Sequence, residues 1–413
     1  MKIRSSKVAS LVVASAAMLM TVPMIGTAAT SSAAAKPVYV IGYEGPLSGG
    51  NAQLGINMKW GVEFAIQQAN ASGKLPFTLQ AKWYDDQGSG TFSPAQAQAA
   101  VANNQLVAVV GPAFSGATKA AEPFYSNAGI ATVSPSATAA ALATGISNNN
   151  FMRVVYGDDV QGSADAKFLV STKHVSKLLV LDDGSFYGSG LAAVVATAAK
   201  ADHATVTSNS YPQSSNCGGL ASSTQYTSLA TQIVSSGVNG VFYGGYYCDF
   251  GLLLGALHTA GYTGVVMSGD GSESTALISG TTPKSAAAGV YLSAAGGGSG
   301  GNFTGALETG FLKISHGVTS ANALYAPQAY DATNVIIAAM QKVSLTGSLE
   351  AKRIAIRDEL HKISYKGITG TIAFQSDGNL AGSGAGQIDF YQVTASSATG
   401  NVGGYAITQV GHN

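Results

Sequence analysis

A chain of 413 residues is too long for one ordinary hydrophobic core, so two domains are expected. Hydrophobic residues make up 46% of it and charged residues only 10%, a composition that excludes an intrinsically disordered chain. The 21 basic and 21 acidic residues balance, and no basic excess indicates binding to nucleic acid or to an anionic membrane surface.

Residues 1–35 have the pattern of a secretory signal peptide. The basic segment MKIRSSK precedes an apolar stretch, VASLVVASAAMLMTVPMIG, and the small residues of TAATSSAAAK offer cleavage sites near Ala29 or Ala35. A membrane anchor is the alternative, but the strongly apolar part is short. No cysteine directly follows that part, which argues against a lipid-anchored N-terminus. Cleavage would remove the basic residues of MKIRSSK, and the mature chain would be slightly acidic.

Strand-like and helix-like patterns alternate along the rest of the chain. Short apolar runs rich in β-branched residues end in turn signals and are followed by segments with helical periodicity. The predicted strands are VYVIGYEGP (38–46), FTLQAKWYDD (77–86), LVAVVG (106–111), IATVSP (130–135), KLLVLDDG (177–184), GVFYGGY (240–246) and GVVMSGDG (264–271). The predicted helices cover about 56–70, 116–127, 160–174, 187–201, 248–260, 322–343 and 351–363. Such alternation is typical of mainly parallel sheets with helices on both faces.

The last third of the chain is expected to return to the first run of strands. A glycine-rich loop (294–305) precedes the last two long helices, which would complete the first lobe. GTIAFQSDGN (370–379) and GQIDFYQV (386–393) are predicted as late strands. The predicted fold is α/β with two doubly wound lobes. Residues 37–157 and 293–386 form the first lobe, and residues 158–292 and 387–413 form the second.

Two serines stand where helices are predicted to begin. Ser93-Pro94-Ala95-Gln96 has proline at the first helical position and the spacing of a capping box, so the Ser93 side chain is expected to cap this helix. Ser115, in VVGPAFSGATKA, follows a strand and opens a helix. Its place leaves three roles open: binding an anion at the helix N-terminus, acting as a nucleophile, or merely capping the helix.

Known enzyme signatures are absent from the sequence. There is no Gly-x-Ser-x-Gly elbow, no Walker loop and no His-Glu-x-x-His motif. The 6 histidines are scattered without metal-ligand spacing, so no metal or cofactor is expected. The 2 cysteines, Cys217 and Cys248, are predicted to form a disulfide in an exported protein, with two separate thiols as the alternative.

Distinctive residues collect after the predicted strands, where open α/β sheets bind their ligands. In the first run, GPLSGGNAQLG, GPAFSGAT and SPSATA are rich in hydroxyl groups and glycines, which suit a carboxylate. In the second run, Tyr187 and Tyr246 accompany the acids Asp270 and Glu273, which suit an ammonium group beside an apolar wall. A zwitterion held between two lobes would satisfy both sets.

In this order, these segments resemble the leucine/isoleucine/valine-binding protein family, which has the periplasmic-binding-protein-like fold type I. The likeness covers nearly all of residues 38–395. It is carried by GPLSG, YDDQGSGTFSPAQAQAAVANN, VVGPAFSGAT, TVSPSAT, FMRVVYGDDVQG, DDGSFYGSGL and VFYGGYYCDFG. Their joint order is specific for the superfamily and much less so for the ligand. The resemblance implies three crossovers between the lobes and a ligand cleft between them. It also implies an exported receptor that delivers a small ligand to an ATP-driven importer, an ABC permease of the inner membrane.

The resemblance implies polar roles for five residues. Ser115 and Thr138 would hold the ligand's carboxylate, together with backbone groups around Ser136 and Ala137. Asp270 would hold the ammonium group, since amino-acid-binding relatives commonly carry a glutamate or aspartate there.

The apolar residues that the resemblance implies differ in part from the family's usual pattern. Tyr246 would lie beside the ammonium group, and Tyr187 and Phe114 would line the side-chain pocket. Leu54 stands where branched-chain binders usually have an aromatic residue. Phe114 is bulkier than the small residue that the family usually has at its position. These departures leave the ligand open.

The favoured ligand is an aliphatic amino acid, branched-chain amino acids first. A short amide, urea or a small aromatic acid is the alternative, and so is a sensory ligand-binding subunit of the same fold. A third class, an exported hydrolase with Ser115 as nucleophile, is disfavoured because no His/Asp pair can be placed beside it. The expected protein is a periplasmic or otherwise extracytoplasmic monomer whose partners are its ligand and its permease, without nucleic acid or cofactor.

Overall fold

The structure, a computed structural model, describes residues 35–145, 150–211, 223–296, 302–382, 388–398 and 401–413. The predicted signal peptide therefore lies almost entirely outside the described residues, as does Cys217. Within these ranges, no helix combines the length and the apolar character that crossing a membrane requires.

Strands and helices alternate through most of the described chain, as the sequence predicts. The strands are β1 Val38–Gly45, β2 Thr78–Asp85, β3 Leu106–Val110, β4 Ala131–Ser134, β5 Phe151–Arg153, β6 Lys177–Asp182, β7 Thr205–Ser210, β8 Gly240–Gly244, β9 Val265–Ser268, β10 Tyr291–Ala294, β11 Tyr365–Lys366, β12 Thr371–Ile372, β13 Asp389–Ala395 and β14 Tyr405–His412. The helices are α1 Ala52–Ala71, α2 Ser93–Val101, α3 Ser115–Asn127, α4 Ala141–Gly145, α5 Asp158–Lys167, α6 Phe186–Ala201, α7 Ser223–Ser236, α8 Tyr247–Thr259, α9 Thr275–Gly280, α10 Gly305–Ile314, α11 Ala326–Lys342 and α12 Leu349–Leu360.

Two sheets with the same strand order organise the chain. The first has five parallel strands in the order β2-β1-β3-β4-β5. The second has seven, in the order β14-β13-β10-β9-β8-β6-β7, of which β6 to β10 are parallel while β13 and β14 are antiparallel. Counted from β6, its parallel part repeats the order 2-1-3-4-5. In such sheets the crevice for a ligand lies beyond the carboxyl ends of the strands, where the strand order reverses.

The chain passes between the two sheets three times. It leaves the first sheet after β5 and builds β6 to β10 of the second sheet. It then returns, because α11 packs on α1 and touches β3 and β4, as α12 also does. Finally it rejoins the second sheet as β13, which pairs with β10. These passages confirm the predicted two-lobed α/β fold with three crossovers, while the residue boundaries of the lobes stay a prediction.

Burial explains why the first lobe's elements form where they do. All five residues of β3, LVAVV, are buried, as expected for a parallel strand covered by helices on both faces. In α1, which was predicted from helical periodicity at 56–70, the buried residues Met58, Val62, Ala65 and Ile66 have the spacing of one side of a helix.

Several local predictions were wrong or incomplete. The Ser93 side chain does not cap α2, because its hydroxyl is buried and donates to the Glu44 carboxyl and, at 2.9 Å, to the Ala117 carbonyl. A buried carboxyl needs donors, and this demand outweighs local capping. The strand predicted at 370–379 shrinks to the two residues of β12. The sequence patterns also gave no prediction for several elements that are short or largely exposed: β5, β7, β10, β11, β14, α4, α7, α9 and α10.

Candidate functional site

A small cavity lies at the carboxyl ends of the two sheets. Its lining, which we call the cleft cavity, consists of Leu54, Met58, Phe114, Ser115, Ser136, Tyr187, Tyr246, Asp270, Gly271 and Tyr325. Nine of these ten residues lie in segments that follow β1, β3, β4, β6, β8 or β9. The cavity has a volume of about 10 Å³, which is roughly what a single water molecule needs. The strand order of the sheets therefore explains why these segments meet.

One wall of the cleft cavity centres on Asp270. This residue opens a single 3-10 turn after β9 and is 4% exposed. The Tyr187 hydroxyl donates to its Oδ1 at 2.8 Å, and the Tyr325 hydroxyl donates to its Oδ2 at 2.9 Å. Tyr187 also accepts the Gly271 N–H at 3.0 Å. Among the described residues, no lysine or arginine forms an ion pair with Asp270. The carboxyl group is thus oriented by neutral donors, and no cation of the described chain neutralises it.

Burial raises the pKa of Asp270, and the tyrosine hydroxyls oppose this by favouring the carboxylate. Three further buried acids lie in its neighbourhood. Burial, with a contribution from Asp270, raises the pKa of Asp158 to about 8 and that of Glu273 to about 8, and it also raises the pKa of Asp165. None of the three lines the cleft cavity. This side of the cavity is electrostatically suited to a cation, which would stabilise the ionised carboxylate.

The opposite wall presents hydroxyl groups and a helix N-terminus. Ser115 is the first residue of the 13-residue helix α3, and its Oγ accepts the Ala139 N–H at 3.2 Å. Among the hydrogen bonds of the described residues, the N–H groups of Ser115 and Gly116 have no acceptor. Ser136 donates its hydroxyl to the Ala113 carbonyl at 2.7 Å. Unpaired N–H groups and the positive end of a helix dipole favour an anion at this wall.

Aromatic rings fill the space between the two walls. Phe114 precedes α3 in the first lobe and Tyr246 precedes α8 in the second, and their rings stack at 4.3 Å with an interplanar angle of 15°. The ring centroid of Tyr187 lies 5.2 Å from that of Tyr246. At the rim, the Lys119 ammonium lies 4.2 Å from the ring centroid of Phe186, again across the cleft. These contacts describe closed lobes, and the stack must separate before anything larger than a water molecule can enter.

The structure brings most of the predicted site residues together. Seven of the nine candidates line the cleft cavity: Leu54, Phe114, Ser115, Ser136, Tyr187, Tyr246 and Asp270. Ala137 and Thr138 do not. The N–H of Ala137 donates to Ser134 Oγ at 3.0 Å, and the buried hydroxyl of Thr138 favours the ionised form of the Asp158 carboxyl. That any of the nine contacts a ligand stays a prediction.

Tyr325, which the sequence patterns did not single out, is the one lining residue that follows no sheet strand. Its φ of 64° is left-handed, which is rare for a bulky residue and costs about 1–3 kcal/mol. This backbone shape brings the chain into α11 while the Tyr325 hydroxyl reaches Asp270. The only signal in the sequence is Pro327, which marks a helix start nearby. Met58, which lies in the helix predicted at 56–70, and Gly271 also line the cavity, and neither was predicted as a site residue.

Other predicted chemistry is placed as follows. No hydrogen bond joins the Ser115 hydroxyl to a histidine or a carboxylate in the described part of the chain, where its partner is a backbone N–H. Over the same ranges, no group of three or more metal-ligating side chains could hold a metal ion. Cys248, in the first turn of α8, is disulfide-bonded. Because Cys217 lies outside the described residues, the pairing of these two cysteines stays a prediction.

Comparison with known proteins finds a matching family and relatives that are binding proteins for small ligands. The profile of a family described as "Periplasmic binding protein" matches residues 38–399. The Leu/Ile/Val-binding protein BraC3 of Rhizobium johnstonii is 27% identical over 347 residues, which cover 81% of this chain and 89% of that protein. The leucine-, isoleucine-, valine-, threonine- and alanine-binding protein of Pseudomonas aeruginosa is 30% identical over 244 residues, 57% of this chain and 62% of that protein.

A solved structure supports the fold. The branched-chain amino acid transporter substrate-binding protein LivJ of Streptococcus pneumoniae, in complex with isoleucine, superposes with a TM-score of 0.72 at 22% identity. The match covers 91% of this chain and 99% of that one. At this identity the likeness carries the two-lobed fold and not the ligand.

Proposed function

The chain belongs to the periplasmic binding protein family, and we propose that it is the substrate-binding receptor of an ABC importer for an amino acid. In this role it works outside the cytoplasmic membrane, closes its two lobes on a small ligand, and presents the closed form to a permease. The family consists of binding proteins rather than enzymes. The partner permease, the extracytoplasmic location and a monomeric state are parts of this proposal.

The observation that carries the proposal is the opposite character of the two walls of the cleft cavity. Asp270 offers a buried carboxylate without a cationic partner from the described chain, and the N-terminus of α3 offers unpaired N–H groups beside Ser115. An α-amino acid carries an ammonium and a carboxylate group on one carbon, so it can satisfy both walls at once. Binding it would neutralise a buried charge that is otherwise stabilised only by neutral groups, chiefly the hydroxyls of Tyr187 and Tyr325.

An aliphatic side chain fits the remaining lining best. Leu54 and Met58 add apolar surface from α1, next to the rings of Phe114 and Tyr246. The printed names of the relatives include leucine, isoleucine and valine, and in one case threonine and alanine. We therefore favour branched-chain and smaller aliphatic amino acids.

A small aromatic acid is the second candidate, because the Phe114–Tyr246 stack offers two flat faces between which a ring could insert. Such a ligand would use the α3 wall and leave Asp270 unused. The two candidates can therefore be distinguished by whether the binding affinity depends on an amine in the ligand.

Calorimetric titration with matched analogues tests the proposal. Native mass spectrometry of the purified protein first looks for a co-purifying ligand. L-leucine, L-isoleucine, L-threonine and L-alanine are then compared with 4-methylvalerate, which lacks leucine's amine, and isoamylamine, which lacks its carboxylate. At least one amino acid should bind, and both of its truncated analogues should bind far more weakly. Equal binding of leucine and 4-methylvalerate, or binding of benzoate alone, would refute the amino-acid assignment.

Transport and sensing are separated by the partner. Reconstituted permease should take up the ligand only when this protein is present. A ligand-dependent signal without any ligand uptake would instead identify the sensory alternative.

A further inference from the structure

Arg153, to which no role has been assigned above, connects β5 to the segment between β12 and β13, which contains the third crossover. It ends β5, and its side chain is among the largest fully buried ones. Its Nε donates to Asn379 Oδ1 at 2.7 Å, and its backbone N–H donates to the Gly378 carbonyl at 3.0 Å. Gly378 has a φ of +84°, and a Cβ on it would lie 2.0 Å from the Phe151 carbonyl oxygen. The turn that contains Gly378 and Asn379 is therefore pressed against β5 and held there by Arg153.

The same guanidinium group holds the loop that follows β4. We call residues 135–140 the β4 loop; it contributes Ser136 to the cleft cavity. Nη1 of Arg153 donates to the Ala137 carbonyl at 3.2 Å and to the Ala139 carbonyl at 3.0 Å. The carbonyl between them, that of Thr138, accepts the backbone N–H of Asp158 at 2.8 Å. Three successive carbonyls of the β4 loop are thus fixed by the residues at the two ends of the first crossover, 154–157.

Fixing these carbonyls also fixes the N–H groups of the loop. In a trans peptide the N–H points opposite to the C=O, so carbonyls turned to Arg153 and Asp158 turn the next N–H groups away from them. One of these, the Ala139 N–H, reaches the Oγ of Ser115 at 3.2 Å. The N–H of Thr138 has no acceptor among the hydrogen bonds of the described residues. The loop therefore shows its donors on the side of the α3 N-terminus, where an anion is favoured.

Arg153 forms no ion pair with an acidic side chain of the described residues. The acidic groups that act on it are Asp158, Asp159 and Asp377, but none lies within ion-pair distance among the described residues. The Asp158 carboxyl is itself buried, and the Thr138 hydroxyl favours its ionised form. The guanidinium instead directs its N–H groups to the β4 loop and the third crossover. A planar fork of this kind is specific to arginine.

We propose that Arg153 is a positioning residue that couples lobe closure to recognition of the ligand's carboxylate. It makes the anion-binding shape of the β4 loop depend on the arrangement of the first and third crossovers. Opening the lobes moves the crossovers, and the loop loses its shape with them. The proposal rests on the proposed function insofar as the ligand carries a carboxylate.

Two variants and a matched control test this coupling. Arg153→Lys keeps the charge but cannot reach both carbonyls and Asn379 at once. Asn379→Ala removes the acceptor on the third crossover without touching the β4 loop. The control is Arg353→Lys, because Arg353 is also buried and also donates to backbone carbonyls in the first lobe, those of Leu106, Val101 and Asn103. These carbonyls lie at the other end of β3, far along the sheet from the cleft cavity.

The first measurement needs no ligand. Amide hydrogen exchange is followed by mass spectrometry in peptides covering 134–141 and 375–382 of the full-length protein. Arg153→Lys should speed exchange in both peptides by about tenfold or more, the effect expected when hydrogen bonds to a charged group are lost. Asn379→Ala should speed exchange in 134–141 as well, although Asn379 does not contact that loop. Arg353→Lys should change neither peptide.

The second measurement detects carboxylate recognition. Each protein is titrated with L-leucine and with L-leucinamide, which keeps the amine and lacks the carboxylate. Arg153→Lys and Asn379→Ala should weaken leucine binding about tenfold or more and leave leucinamide binding nearly unchanged. A role in stability alone would lower both affinities together, as it would in Arg353→Lys.

Unchanged exchange of 134–141 in Asn379→Ala, or an equal loss of both affinities in Arg153→Lys, would overturn the proposal. If the wild-type protein binds none of L-leucine, L-isoleucine, L-threonine and L-alanine, the amino-acid assignment fails, and the exchange experiment still decides whether Arg153 couples the loop to the crossovers; if it binds one of the others instead of leucine, that amino acid and its amide replace leucine and leucinamide. Should Arg153→Lys not fold, Asn379→Ala still tests the coupling by both measurements, since Asn379 is only partly buried.

Discussion

Replacing Asp270 by asparagine separates a ligand-binding role from a structural one. The substitution preserves size and keeps one oxygen that can accept from Tyr187 or Tyr325, while its amide can donate to the other tyrosine's hydroxyl. It removes the negative charge from the wall of the cleft cavity. If Asp270 holds a ligand's ammonium group, the variant leaves that group buried without its counter-charge.

The expected loss of affinity is large. Truncating one partner of a desolvated, hydrogen-bonded charge pair costs about 2–5 kcal/mol. At about 1.4 kcal/mol per tenfold change, the affinity for the amino acid should fall by roughly 30-fold or more. The ligand-free protein should not be destabilised at neutral pH. Because burial raises the pKa of Asp270, this group contributes stability when protonated and loses that contribution as the pH rises through its folded-state pKa.

Calorimetric titration of both proteins with the identified amino acid measures the first effect, and thermal melts without ligand measure the second. Glu273→Gln is the matched control, since Glu273 is also a buried acid with its pKa raised to about 8 but does not line the cleft cavity. The affinity of the Glu273→Gln protein for the amino acid should change little. Unaltered amino-acid affinity in Asp270→Asn, or an equal loss in Glu273→Gln, would refute the reasoning and remove Asp270 from the site.

Lobe closure, the disulfide, the ring stack and the buried acids can each be tested separately. Saturating ligand should lower the radius of gyration measured by small-angle scattering, because it holds the lobes closed; an unchanged radius would speak against hinge closure. Alkylation with and without reductant should show a Cys217–Cys248 disulfide in protein from its native compartment, and two alkylated thiols without reductant would contradict it. Phe114→Ala removes one ring of the stack with Tyr246, so binding should shift towards larger side chains, and an unchanged ratio of leucine to alanine affinity would argue against Phe114 as a size filter. Burial raises the pKa of Glu44 to about 8 and that of Glu122 to about 8. Their contribution to the free energy of unfolding should therefore be complete below about pH 4 and decrease as the pH rises through 8. A melting temperature that increases from pH 5 to pH 8.5 would contradict this prediction.

The fold could be predicted because its signals are local and repeated. Runs such as LVAVV and IATVSP mark buried parallel strands, and helical periodicity follows each of them. Elements without an apolar face gave no such signal. β7, TVTSNS, is almost entirely exposed at the edge of the second sheet, and β14 is an outer antiparallel strand with little buried surface. Their positions follow from pairing with a neighbour, which only the assembled sheet provides.

The site could be predicted as far as it depends on strand ends. Phe114, Ser115, Ser136, Tyr246 and Asp270 each follow a parallel strand, and the shared strand order brings their segments to one crevice. The sequence pattern carries no information on how the two lobes close on each other. The stack of Phe114 on Tyr246 joins side chains of different lobes, and it reduces the cavity to about 10 Å³.

Thr138 shows how far strand-end reasoning reaches. The loop it occupies lies where expected, yet its hydroxyl does not line the cleft cavity. Its carbonyl accepts the Asp158 N–H at 2.8 Å, and its hydroxyl favours the ionised form of the Asp158 carboxyl, while burial raises the pKa of that carboxyl to about 8. A buried carboxyl needs donors, and this demand sets the direction of the Thr138 side chain. Strand-end reasoning therefore located the loop but not the orientation of its side chain, because that orientation depends on Asp158, which stands beyond the first crossover and is brought to the loop only by the assembled fold.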